Sequence, residues 1–197
     1  MSEMIMDGTG KGYQAQVDEK NRLRVLSVGK TIAEDAAKAG DSYNINTGTI
    51  TLTTANESGV LYVKNNGDND VIVAQVGYLF GNSTGGSGDL NAKLVFNPTG
   101  GDVISNATSV DININKNAGS SKSLSVDAYK GAEGGTLTGG TDAYLSLLPG
   151  DARSYVINTG SIHLPKGSSL GVLLTPQSGN TSVDVQVFLA IIEDTIN

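Results

Sequence analysis

The chain has 197 residues, a formal net charge of −7 and a pI near 4.6, and a field of that sign disfavours nucleic acid and anionic membranes as partners. With 26 glycines, 4 prolines and no cysteine, it can hold neither disulfides nor thiolate-bound metal, and no Gly-X-Y period makes it collagen. No apolar run approaches the roughly 18 residues that cross a bilayer as a helix, while the length is ample for one sizeable core.

In chain order, residues 1–20 read as an arm. Asp7-Gly8-Thr9-Gly10-Lys11-Gly12 is too rich in glycine to prefer one local shape. Tyr13, Ala15 and Val17 then alternate with polar residues, a pattern suited to an edge strand laid on another surface. Leu23 and Val25 alternate with Arg22 and Arg24 in a predicted first strand, so residues 1–30 are set apart from a body spanning 31–197. Lys20, Arg22, Arg24 and Lys30 cluster here and read as an exposed strand face rather than a nucleic-acid patch. Residues 31–39 are the one helical stretch. Thr31 is placed to cap it, with Glu34 three residues on, and Gly40 is a stop signal.

Strands then dominate. They are predicted near 43–52, 59–65, 70–80, 91–97, 107–115, 121–128, 143–148, 153–164, 169–175 and 181–192. Val71 and Val73, and the series Val183, Val185, Val187, Leu189 and Ile191, carry the two-residue alternation of half-buried strands. Asn65-Asn66-Gly67-Asp68 and Ser178-Gly179-Asn180 are turn chemistry, and Pro165 and Pro176 bound the strand between them. Residues 81–89 and 131–142 are glycine-rich loops, too long for tight hairpins and expected at one end of the fold.

The pattern also repeats. Tyr-Asn-Ile-Asn-Thr-Gly-Thr-Ile-Thr-Leu at 43–52 returns as Tyr-Val-Ile-Asn-Thr-Gly-Ser-Ile-His-Leu at 155–164, an offset of 112. Without a gap, Gly59-Val60-Leu61 falls on Gly171-Val172-Leu173, Gly67 on Gly179, Val71 on Val183 and Val73 on Val185. The 38 aligned positions hold 13 identities. Duplication and convergence on strand-and-turn composition are both open, and a sandwich follows from either. About ten strands, no long helix and two similar three-strand halves predict an all-β fold: an antiparallel β-sandwich of jelly-roll type, with an extended N-terminal arm and one short helix.

Reactive chemistry is sparse. The single histidine, His163, alternates with Ile162 and Leu164 in a strand and reads as a cross-strand polar partner, not as the base of a triad. Gly8-Thr9-Gly10-Lys11-Gly12 fails the phosphate-loop pattern, because Gly12 follows the lysine where Ser or Thr is required. Glu57, Asp68, Asp70, Glu133 and Asp142 sit in predicted turns, and the 5% of aromatics, with no tryptophan, offer little stacking surface for a glycoside hydrolase. Asp68 with Asp70, or Asp89 with Asp102, has the oxygen chemistry for Ca²⁺, but nothing matches an EF-hand loop and solvated turn acids are the better reading. No catalytic, cofactor-binding or metal residue is therefore assigned, and no enzyme activity is expected.

The string Asp7-Gly8-Thr9-Gly10-Lys11-Gly12-Tyr13-Gln14-Ala15-Gln16-Val17-Asp18-Glu19-Lys20-Asn21-Arg22-Leu23-Arg24-Val25 resembles the N-terminal stretch of many tailed-bacteriophage virion proteins, where D-G-T-G-x-G-x-x-A-x-V-D-x-x-x-R-L-x-V precedes a β-rich body. Tyr129-Lys130-Gly131-Ala132-Glu133-Gly134 and Leu164-Pro165-Lys166-Gly167-Ser168-Ser169-Leu170-Gly171-Val172 also resemble that group. The resemblance implies a structural role with no enzyme activity and no cofactor. It points to a capsid decoration or cement protein, a homo-oligomer expected to be a trimer, made in the host cytoplasm and bound to the major capsid protein on the capsid surface. Lys11, Tyr13, Val17, Arg22 and Leu23 are the expected contact residues of the arm, Tyr and Arg being frequent interface anchors. The alternative is a carbohydrate-binding or fibre-associated module using loops 81–89 and 131–142, with Tyr144 and Tyr155 as the nearest aromatics.

Overall fold

A computed structural model of the chain describes residues 31–53, 55–110, 114–150 and 154–195. Helix α1 (Ile32–Ala39) is followed by β1 (Ser42–Asn46), β2 (Ile50–Leu52), β3 (Ser58–Asn65), β4 (Asp70–Thr84) and β5 (Leu90–Phe96). A one-turn helix α2 (Asp102–Ser105) and the short strands β6 (Thr108–Ser109) and β7 (Ile114–Asn115) come next. The chain then runs through β8 (Val126–Lys130), β9 (Thr141–Leu148), β10 (Ser154–Leu164), β11 (Ser169–Pro176) and β12 (Ser182–Asp194).

These strands form two antiparallel sheets. The first has the order β10-β4-β12-β1-β7, with β2 continuing beside β12; the second has the order β6-β8-β3-β11-β5-β9. Taking β1 and β2 as one interrupted strand, eight long strands alternate between the sheets except at β5 and β9, which pair within the second sheet, and the first pairs with the last, which is jelly-roll topology. The alternating apolar residues meet between the sheets. Ile45, Leu52, Val60, Val71, Val73, Leu94, Leu170, Val172, Val185 and Leu189 are all buried in one cluster. Burial of this kind is the main force holding the layers together, and it follows from the period-two pattern already present in the sequence.

The 112-residue repeat is a property of the pairing and not of composition alone. Ile50 and Leu52 of β2 face Val185 and Val183 of β12. Their counterparts Ile162 and Leu164 of β10 face Val73 and Val71 of β4, the counterparts of Val185 and Val183. Even the defect recurs. The first half breaks at residues 47–49, between β1 and β2, and the second has a register shift between Asn158 and Ile162. At the first break Thr47 mends the ladder: its N–H donates to Val187 O at 3.0 Å, and its Oγ1 accepts from Val187 N at 3.0 Å. In the first sheet the order β1-β12-β4-β10 reads as the same series when the halves are exchanged, as a pseudo-two-fold requires.

Three strand assignments need correcting. The segment 107–115 is not one strand: β6 lies on the edge of the second sheet and β7 on the edge of the first, so the chain changes sheets between them. The segment 121–128 is strand only from Val126, since its Ser-rich start is held by turn-like contacts such as Lys122 N to Ser120 Oγ at 3.2 Å. Residues 81–84, read as loop, extend β4, because Ser83 and Thr84 pair with Val183 and Ser182. The described residues also hold a second helix, α2, where one was expected. Helix α1 ends as predicted at Gly40, which has φ 80°. Asp41 N donates to Ala36 O at 2.8 Å and Gly40 N to Ala37 O at 3.3 Å, the double closure that a glycine in the left-handed region permits. The predicted strand at Leu23 and Val25 lies outside the described residues.

Candidate functional surfaces

The five arm residues singled out from the sequence, Lys11, Tyr13, Val17, Arg22 and Leu23, also lie outside the described residues. The acids and the histidine do not come together. His163 is exposed on β10, opposite Ile72. Among the described residues, no group of three or more His, Cys, Asp or Glu could hold a metal ion.

Of the candidate calcium acids, Asp68, Asp89 and Asp102 are instead fasteners of loops. Asp68 receives Lys166 Nζ at 2.6 Å, tying the β3–β4 turn to the β10–β11 turn. That ammonium holds the Asp68 carboxyl below its ordinary value. Asp89 accepts from Gly150 N at 2.7 Å, and its backbone carbonyl accepts from Gln177 N at 2.9 Å and Asn180 Nδ2 at 3.1 Å. Those contacts lock together the loops that precede β5, follow β9 and precede β12; the Gly150 hydrogen bond lowers the Asp89 pKa. Asp102 accepts from Thr136 N and, at 2.7 Å, from Thr136 Oγ1, and the same donors hold its pKa down. Asp89 and Asp102 therefore serve different loops.

The most buried fastener is Asn65, which no chemical motif in the sequence flagged. Its Nδ2 donates to Asn69 O at 2.9 Å and Leu164 O at 2.8 Å, and its Oδ1 accepts from Gly67 N at 2.9 Å. One side chain thus satisfies three backbone groups where the turns after β3 and β10 meet. The sequence signal was Asn-Asn-Gly, read there only as turn chemistry.

The glycine-rich segment 131–140 straps the outer face of the second sheet. Gly59 N donates to Gly135 O at 2.6 Å, and Thr138 pairs with Gly100. Leu137 lies over the symmetry-related Gly59 and Gly171: a Cβ on either would come within 2.9 Å of it. Pro98 and Val103 complete this small apolar layer. Loop 85–89 has other neighbours, Gly150 and residues 177–181, so the two loops do not gather at one end as expected. A cleft of about 370 Å³ opens beside the strap, lined by Asp102, Val103, Asn106, Lys130 and Glu133 among others. Glu133 there is already bound by Thr53 Oγ1 at 2.6 Å and Thr53 N at 2.8 Å.

The remaining exposed apolar surface lies largely along one side of the sandwich. β9 and β10 are the edge strands there, one in each sheet. On the second sheet Leu145 is 71% exposed, Leu147 61% and Tyr144 48%, and on the first sheet Val156 of β10 and Leu79 of β4 are exposed. Tyr155 of β10, by contrast, is partly buried against the core. Behind them Tyr78 is fully buried, its hydroxyl has no hydrogen-bond partner, and burial pushes its pKa up. Among the described residues no helix is long and apolar enough to cross a membrane. No protein-family model matches the chain, and no curated protein matches it.

Proposed function

We propose that the chain is a structural protein of a tailed-bacteriophage virion, a decoration or cement protein that binds the major capsid protein and stabilises the head from its outer surface. The observation that carries this reading is the string Asp7–Val25, standing before a jelly-roll body. The body supports it in kind. Its loops are fastened by Asp68, Asp89, Asp102 and Asn65. A part that must hold a shell together needs such stiffness and no reactive centre. In this reading Lys11, Tyr13, Val17, Arg22 and Leu23 make the contact with the shell or with a neighbouring subunit. The protein works as a homo-oligomer; three-fold assembly is an analogy with capsid jelly rolls only.

The test is deletion of residues 1–20. The truncated protein keeps its cooperative unfolding transition but no longer sediments with expanded capsid shells. Undiminished decoration by the truncated protein would show that the arm does not make the contact.

A further inference from the structure

We propose that β9 is the pairing edge for a second copy of this chain, forming a two-fold antiparallel β9–β9 contact that joins the two second sheets. Among the described residues the two sheets have four edges, which differ in how they are protected. β6 and β7 are two residues each, too short to template another strand. β10 carries a register shift between Asn158 and Ile162 that interrupts its edge. The irregularity of β9, at Ala143, falls near its start, and among the described residues Tyr144–Leu148 then runs regularly along β5 with neither charge nor proline and with Leu145 and Leu147 exposed. Regular, uncharged edges with exposed apolar side chains are templates for another strand.

The chemistry favours the same strand as the occupant. A two-fold centred on Ser146 sets Leu145 opposite Leu147 of the second copy on the outer face, twice. It sets Tyr144 opposite Leu148 on the inner face. Antiparallel neighbours of that kind are the stabilising unit of a sheet. The one charged side chain of β9, Asp142, then lies about 27 Å from its twin, eight residues of strand away, so no like charges meet. A basic partner has little to engage, because Glu57 and Asp142 beside the strand already bind Lys93 at 2.8 Å and 3.9 Å.

The experiment uses the full chain, free in solution, so its outcome is independent of shell binding. At tens of micromolar the protein has twice its 20.2 kDa chain mass by light scattering. Leu147→Lys sets an ammonium in the contact and weakens pairing at least about tenfold, giving monomer with an unchanged unfolding transition. The chain has no cysteine, so Ser146→Cys places a single thiol at the two-fold centre, and oxidation yields a covalent dimer, since opposed strand residues lie within disulfide reach. A monomer, a trimer, or a dimer indifferent to Leu147→Lys overturns the proposal. If Leu147→Lys does not fold, the cross-link decides alone, and its absence overturns the proposal.

Discussion

Gly59 and Gly171 show how one residue type serves a local and a distant need together. In the sequence they look like strand glycines, which weaken a ladder unless something approaches closely. In the fold that something is Leu137, seventy-eight residues beyond Gly59 and thirty-four before Gly171. Gly59→Ala sets a Cβ 2.9 Å from Leu137 Cγ and 3.3 Å from Val103 Cγ2. We expect it to cost about 1–3 kcal/mol by overpacking. Combined with Leu137→Ala the loss is smaller than the sum of the two single changes, by roughly 0.5 kcal/mol or more, as for residues in direct contact. Urea titration of the four proteins measures this; strict additivity would mean the strap does not rest on Gly59. His163→Ala, on an exposed strand position, moves stability by no more than about 0.5 kcal/mol.

At the scale of elements, the turns are held by carboxylates. Asp68, Asp89 and Asp102 all have pKa values below the ordinary 3.8 in the folded protein. A depressed folded value means the contribution is present above the unfolded pKa and is lost as pH falls through the folded one. Stability therefore stays level down to about pH 4 and declines below the ordinary 3.8. The causes differ, and salt separates them. Lys166 acts on Asp68 first through the hydrogen bond from its ammonium and then through its charge, and the charge part is screened in 1 M salt. Backbone and hydroxyl donors act on Asp89 and Asp102 at contact and are not. Between low and high salt, the profile of melting temperature against pH should lose only the charge part of the Asp68 contribution, and Asp89→Asn should flatten part of the acid limb in both. This organisation was half legible. The turn residues stood out in the sequence, but which turn binds which was not, because the partners lie 98 residues apart for Asp68–Lys166 and 61 for Gly150–Asp89.

For the whole molecule, the consequence of the repeat is that neither half is a domain. β12 lies between β1 and β4, and β11 lies between β3 and β5, so each sheet interleaves strands from both halves. A half on its own exposes the face its partner should bury and leaves its ladders open. Residues 32–97 or 141–195 expressed separately should show no cooperative unfolding. Produced together, they should recover at least part of the native signal by circular dichroism. A stable isolated half would mean the interleaving is not what holds the core. Such long-range pairing also makes folding slow relative to helical proteins of this size.

The sequence by itself determined the strand and turn inventory, the two-sheet class and the repeat, because alternation, glycine and asparagine act within a few residues of themselves. It located nearly every strand of the eight-strand roll within a few residues, and it identified the helix and its stop at Gly40. Only the tertiary structure decided that 107–115 divides between sheets, that Leu137 straps the paired glycines, that Asn65 joins two turns, and that β9 is an edge strand among the described residues. Those features depend on which segments become neighbours in space, and that is set by closure of ladders between strands as far apart as β1 and β12, which no local pattern encodes.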